Sequence, residues 1–111
     1  MVSHFVPGHM DGNGVSFKVE SNRNKDGTVH FIVQITKTAY PHFGKEDKCL
    51  LGPLIETESS LSGGGGTEIK MFIDVNSATC HFDAPANSNL CFFFWSGYHV
   101  HCLKLQDFMP K

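Results

Sequence analysis

The sequence predicts an all-β chain: a single-domain antiparallel β-sandwich spanning residues 1–111, with about six to eight short strands. Three observations lead there. Apolar and polar residues alternate with period two in one segment after another, and breaks rich in Gly, Pro, Asn and Asp separate the segments. Ten Phe enrich the chain in side chains that suit a half-buried pleated surface. No long run of strong helix formers carries an apolar stripe at helical spacing. The length suits one hydrophobic core, and 41% hydrophobic with 18% charged residues is the balance of a chain that folds.

Taken in order, "HFV" at 4–6 reads as a short edge strand. In "VSFKVES", Val15, Phe17 and Val19 face one way while Ser16, Lys18 and Glu20 face the other. The turn-forming "NRNKDG" follows, and its Gly27 supplies the positive φ a tight hairpin needs. "TVHFIVQITK" then puts Val29, Phe31, Val33 and Ile35 on one face. Residues 38–47, "TAYPHFGKED", have no sustained period and read as a loop. A weaker strand covers Cys49 to Ile55, where Pro53 argues for an edge or a break. The loop "SSLSGGGGT" is no phosphate loop, because no Gly-Lys-Ser/Thr and no helix follow it.

"TEIKMFIDVN" reads as one strand with Ile69, Met71, Ile73 and Val75 inward. "ATCHFD" buries Ala78, Cys80 and Phe82, and "LCFFFW" is apolar on both faces, as a strand covered on each side would be. "HVHCLKLQDF" closes the chain with Leu103 and Leu105 on one side. Strands of this number and size fit an immunoglobulin-like sandwich best, with a small barrel as the alternative. The Cys–Trp–Cys spacing of true immunoglobulin domains is missing, since Trp95 follows Cys91 by four residues.

The segment "LCFFFWSGYHVHC" carries the sharpest chemical question. With Ser96-Gly97 as a two-residue turn, Phe94 opposes His99, Phe92 opposes His101 and Cys91 opposes Cys102. Two His at i and i+2 of a strand share a face, which suits bidentate ligation of zinc or copper. Cys102 points to the other face, so a third ligand has to come from His81 or His30. The competing expectation packs both His against Phe rings at the rim of the core. For the cysteines, Cys49, Cys80, Cys91 and Cys102, the expectation is four thiols, or at most one bridge through Cys91.

A net charge of −2 with scattered Lys and Arg offers no basic stripe for nucleic acid. No apolar run approaches the ~18–20 residues of a membrane helix, and residues 1–14 lack the features of a signal peptide. Seven His could carry the charge to +5 on full protonation. No nucleophile elbow and no His-Glu-x-x-His motif occurs, so neither catalysis nor a cofactor is expected. Aromatic residues at Tyr40 and Phe43 in the long loop, and Trp95 with Tyr98 around the Ser-Gly step, are the candidate binding residues. The expected role is a non-catalytic β-sandwich binding or structural module, alone or within a larger assembly, with a protein or carbohydrate partner. The alternatives are a metal-binding protein using His99 and His101 and a carbohydrate-binding module using exposed aromatics. The compartment stays open.

Overall fold

The computed structural model describes residues 2–10, 13–37, 43–53, 66–87, 89–96 and 99–110. Among them are nine strands: β1 (Val2–Met10), β2 (Asn13–Arg23), β3 (Val29–Lys37), β4 (Asp47–Pro53), β5 (Thr67–Ile69), β6 (Phe72–Ile73), β7 (Ser77–Ala84), β8 (Leu90–Ser96) and β9 (His99–Lys104). A 3-10 helix, Leu105–Phe108, follows β9. The strands form two antiparallel sheets, one of five in the order β1-β2-β3-β7-β6 and one of four in the order β5-β4-β8-β9. No described strand pairs across the two sheets, so the architecture is a sandwich and the barrel alternative falls away.

Alternation puts the core between the sheets. Phe17 and Val19 of β2, Phe31 and Val33 of β3 and Phe82 of β7 meet Phe92 and Phe94 of β8, all nearly or fully buried. Phe82 stacks on Phe31 at 5.4 Å within its own sheet and on Phe92 at 5.6 Å across the gap. Phe17 meets Phe94 edge-on at 6.1 Å. The Phe82–Phe92 and Phe17–Phe94 pairs tie the two sheets directly, each contributing about 0.5–1.5 kcal/mol beyond the area it buries.

Polar contacts close both ends of this core. At one end the Lys37 ammonium of β3 reaches Asp47 Oδ2 of β4 at 2.8 Å, with side chains 14% and 0% exposed. The Gly44 N–H donates to the same oxygen at 2.7 Å. At the other end the Ser21 hydroxyl donates to the Phe108 carbonyl at 2.6 Å and Arg23 to the Pro110 carbonyl at 3.0 Å. The 3-10 helix is thereby held over β2, burying Leu105 and Phe108. The β2–β3 turn has the expected chemistry: Gly27 has φ +90°, and Asp26 Oδ1 accepts from the Thr28 N–H and hydroxyl.

Four details depart from the sequence reading. The stretch 67–76 is two strands, because its partner changes from β4 to β7 and the chain crosses between sheets at Lys70–Met71. Ile73 and Val75 are consequently 55% and 79% exposed, lying at or beyond a two-residue strand that has no outer neighbour among the described residues. The strand at Cys49 is interior, flanked by β5 and β8, and Pro53 lies beyond Leu51, the last residue that β5 pairs. The edge strand read at 4–6 runs from Val2 to Met10. In the final hairpin Ser96 pairs with His99, so residues 97–98 connect the strands and Phe94 opposes His101, Phe92 opposes Leu103 and Cys91 opposes Lys104. That shift of two positions leaves every side chain on the face the alternation assigned.

Candidate functional site

The outer face of the four-stranded sheet is the candidate site. With Phe92 and Phe94 turned into the core, the pleat of β8 turns Cys91, Phe93 and Trp95 outward. Cross-strand pairing sets them in rows: Lys48, Trp95 and Val100; Leu50, Phe93 and Cys102; Gly52, Cys91 and Lys104. Trp95, Leu50 and Val100 are half-buried, whereas Lys48, Lys104 and Glu68 on the margins are exposed. A side chain at Gly52 would stand 3.2 Å from the Gly66 backbone, which would have to give by a few tenths of an ångström to admit it.

This arrangement suits contact better than reaction. Burial, aided by a hydrogen bond with the Cys102 thiol, pushes the Cys91 thiol up to about 12, so at neutral pH it is protonated and a poor nucleophile. What the face offers is apolar and aromatic area with a charged margin. A shallow groove lies beside it where β1 passes β9, with Val6, His101, Lys104 and Asp107 among its walls.

Of the residues singled out from sequence, the structure describes Trp95 and Phe43. Trp95 belongs to the outer face just described, while Tyr40 and Tyr98 lie outside the described residues. Phe43 is packed against the core, its ring 6.2 Å from Phe94 and 4.9 Å beneath the Lys37 ammonium, so it plugs the end of the sandwich.

The described histidines divide between the two sheets. His101 turns inward, stacked on Phe17 at 4.6 Å, and burial lowers its pKa. His81 is on the outer face of the other sheet, 5.8 Å from the His30 ring and 6.2 Å from Phe72. The core therefore separates His81 from His101, and the His99 side chain lies outside the described residues. His30 Nδ1 is 2.9 Å from Asp83 Oδ1, which also accepts from Asn24. Those two hydrogen bonds, Asn24 first, lower the Asp83 pKa. Among the described residues no group of three or more His, Cys, Asp or Glu is placed to hold a metal ion.

All four cysteines are free thiols, Cys49, Cys80 and Cys91 buried and Cys102 exposed. Cys49 lies against Cys80 across the core, and hydrogen bonding to Cys80 together with burial pushes its pKa far up. Neither this contact nor the Lys37–Asp47 pair had a signal in the sequence, because both join segments through tertiary packing. Among the described residues no helix is long and apolar enough to cross a membrane. Comparison with known proteins finds no matching family model, no similar curated protein and no similar solved structure.

Proposed function

We propose that this chain is a non-catalytic binding module with immunoglobulin-like topology, and that it binds a protein partner through the outer face of its four-stranded sheet. The carrying observation is the cluster of Leu50, Phe93, Trp95 and Val100 on that face, with Lys48, Lys104 and Glu68 at its margin. The strand order supports the topological part. β2-β3-β7-β6 corresponds to A-B-E-D of an immunoglobulin sandwich and β5-β4-β8-β9 to C′-C-F-G, with β1 as an added edge strand. Topology by itself selects no function, so the role rests on the face.

Affinity capture with quantitative mass spectrometry tests this, comparing the wild type with Trp95→Ser and with Phe72→Ser on the opposite sheet. Trp95→Ser should lose about tenfold or more of a specific partner, as removal of a central aromatic does, while Phe72→Ser retains it. Equal retention by both variants would remove the face from consideration. A sugar recognised on a glycan array and lost in Trp95→Ser would change the partner class to carbohydrate.

A further inference from the structure

We propose that His30 and His81, on the outer face of the five-stranded sheet, form a two-imidazole site for a divalent transition-metal ion, zinc or copper(II), with Asp83 orienting His30. The pairing of β3 with β7 places these residues. His30 faces Asp83 and Ile32 faces His81, so the two histidines are diagonal neighbours and all three polar side chains share the outward face. The two imidazole centres stand 5.8 Å apart, with their planes inclined at 31°. Zinc binds imidazole nitrogen at about 2.0–2.1 Å, which puts the ion roughly 3 Å from each ring centre. Two rings on one ion then stand roughly 4.5–6 Å apart, for ligand angles from square to wide tetrahedral. The observed separation falls in that range. His81 is exposed and His30 half-buried, so an ion arriving from solvent reaches both without opening the core.

The surroundings of His30 point the same way. Its Nδ1 lies 2.9 Å from Asp83 Oδ1, and Asn24 donates to the same oxygen at 2.9 Å. These hydrogen bonds lower the carboxyl pKa, so at neutral pH it is ionised and can only accept. The proton of the neutral His30 ring consequently sits on Nδ1, and Nε2 presents its lone pair. A carboxylate behind one imidazole nitrogen is the arrangement that orients metal-bound histidines and raises their basicity. Asn24 also donates to the Thr28 hydroxyl at 2.8 Å, which ties the carboxylate to the β2–β3 turn. Phe72 stands nearly perpendicular to His81 at 6.2 Å and narrows the positions that ring can take.

Asp83 is already engaged, so the ion takes two ligands from the protein and completes its shell with water. Two neutral nitrogens with water suit zinc and suit copper(II) better, whereas magnesium and calcium take oxygen ligands. His4 and His101 are placed differently, each against an apolar ring: His4 meets Phe108 edge-on at 5.4 Å, and His101 stacks on Phe17.

Calorimetric titration of the untagged chain with zinc, copper(II) and magnesium tests this. Proton–nitrogen correlation spectra of the imidazoles, taken along the zinc titration, identify the nitrogens bound. Zinc should shift His30 Nε2 and one nitrogen of His81 together, copper(II) should bind more tightly, and magnesium should have no effect. His30→Ala and His81→Ala should each weaken zinc by about tenfold or more, because the second imidazole acts at the high effective concentration set by the first. Asp83→Ala should weaken it by about tenfold with both ligands still in place, and His4→Ala should leave it unchanged. His30, His81 and Asp83 lie outside the core, and a melting curve of each variant checks its fold. Absence of saturable zinc and copper(II) binding, zinc binding that survives both histidine substitutions, or full affinity in Asp83→Ala would overturn the assignment.

Discussion

The outer faces of the two sheets are built on the same pleat and differ in how far their apolar residues are covered. On the five-stranded sheet the outward positions combine Ser16, Lys18, Glu20, His30, Gln34, His81 and Asp83 with exposed Phe5 and Phe72, and its ion pairs are open to solvent: Lys18–Glu20 at 3.3 Å and His30–Asp83 at 2.9 Å. On the four-stranded sheet the outward positions of β8 hold Cys91, Phe93 and Trp95, which are buried or half-buried. The interior is shared, so the contrast cannot come from the needs of the core. The five-stranded face mixes solvated charges with exposed Phe5 and Phe72, whereas the β8 face covers most of its apolar side chains and leaves Trp95 half-buried.

The largest expected effect tests whether the apolar outer face is itself a second core. Phe94→Ala, which empties the space against Phe17 and Phe43, should cost about 3–5 kcal/mol in urea-induced unfolding. Phe93→Ala, one residue along but outside the shared core, should cost about 1–3 kcal/mol. Equal losses would mean that both faces of β8 are packed alike and that no surface is held in reserve.

Next in size is the ion pair at the end of the sandwich. Asp47→Ala should destabilise by about 3 kcal/mol, because it leaves the Lys37 ammonium, 14% exposed, without its carboxylate. A value below about 1 kcal/mol would place this pair with the solvated ones of the five-stranded face.

A smaller effect is read against pH. Burial lowers the pKa of His101 below its ordinary 6.5, so on acidification the unfolded chain takes up this proton before the folded one does. Stability from this group is therefore complete above about pH 6.5 and declines as the pH falls below it. His101→Phe, which preserves a ring against Phe17, should flatten that part of a melting-temperature profile. An unchanged slope would show that His101 is hydrated and that the rim of the core is open.

The smallest effect belongs to the five-stranded face. Asp83→Asn should cost less than about 1 kcal/mol, as exposed pairs do. Since the Asp83 pKa is lowered, its contribution is present above about pH 3.8 and disappears as the pH falls through the folded-state value, a window well separated from that of His101. Thermal melts of the variant at neutral and acid pH check both the size and the window.

How far the sequence reached depends on what each feature is made of. The inner faces of β2, β3 and β7 were legible because burial repeats every second residue, and the double-sided "LCFFFW" already pointed to a strand covered on both faces. The crossing at Lys70–Met71 was not, because alternation continues through it while the partner sheet changes. The final hairpin had its faces right and its pairs wrong, an error that a two-residue shift always hides. Of the candidate binding residues, Trp95 lies on β8 and Phe43 packs against the core, while Tyr40 and Tyr98 lie outside the described residues. Facing partners such as Cys49 with Cys80 and Lys37 with Asp47 follow from the packing of the sheets, which no local pattern encodes.

The position of β3 also governs how the chain assembles. Its pairing with β2 closes through residues 24–28, a local event of the microsecond kind, whereas its pairing with β7 must wait for a strand that begins at Ser77. Until β8 arrives, the hairpin carries Phe17, Phe31 and Val33 on a face with no cover. Sandwiches dominated by such distant pairings fold in milliseconds to seconds, ample time for two half-built molecules to meet. Yield on dilution from denaturant should consequently depend on protein concentration, with aggregation drawing on the unlidded β2–β3 hairpin before the second sheet can cover it.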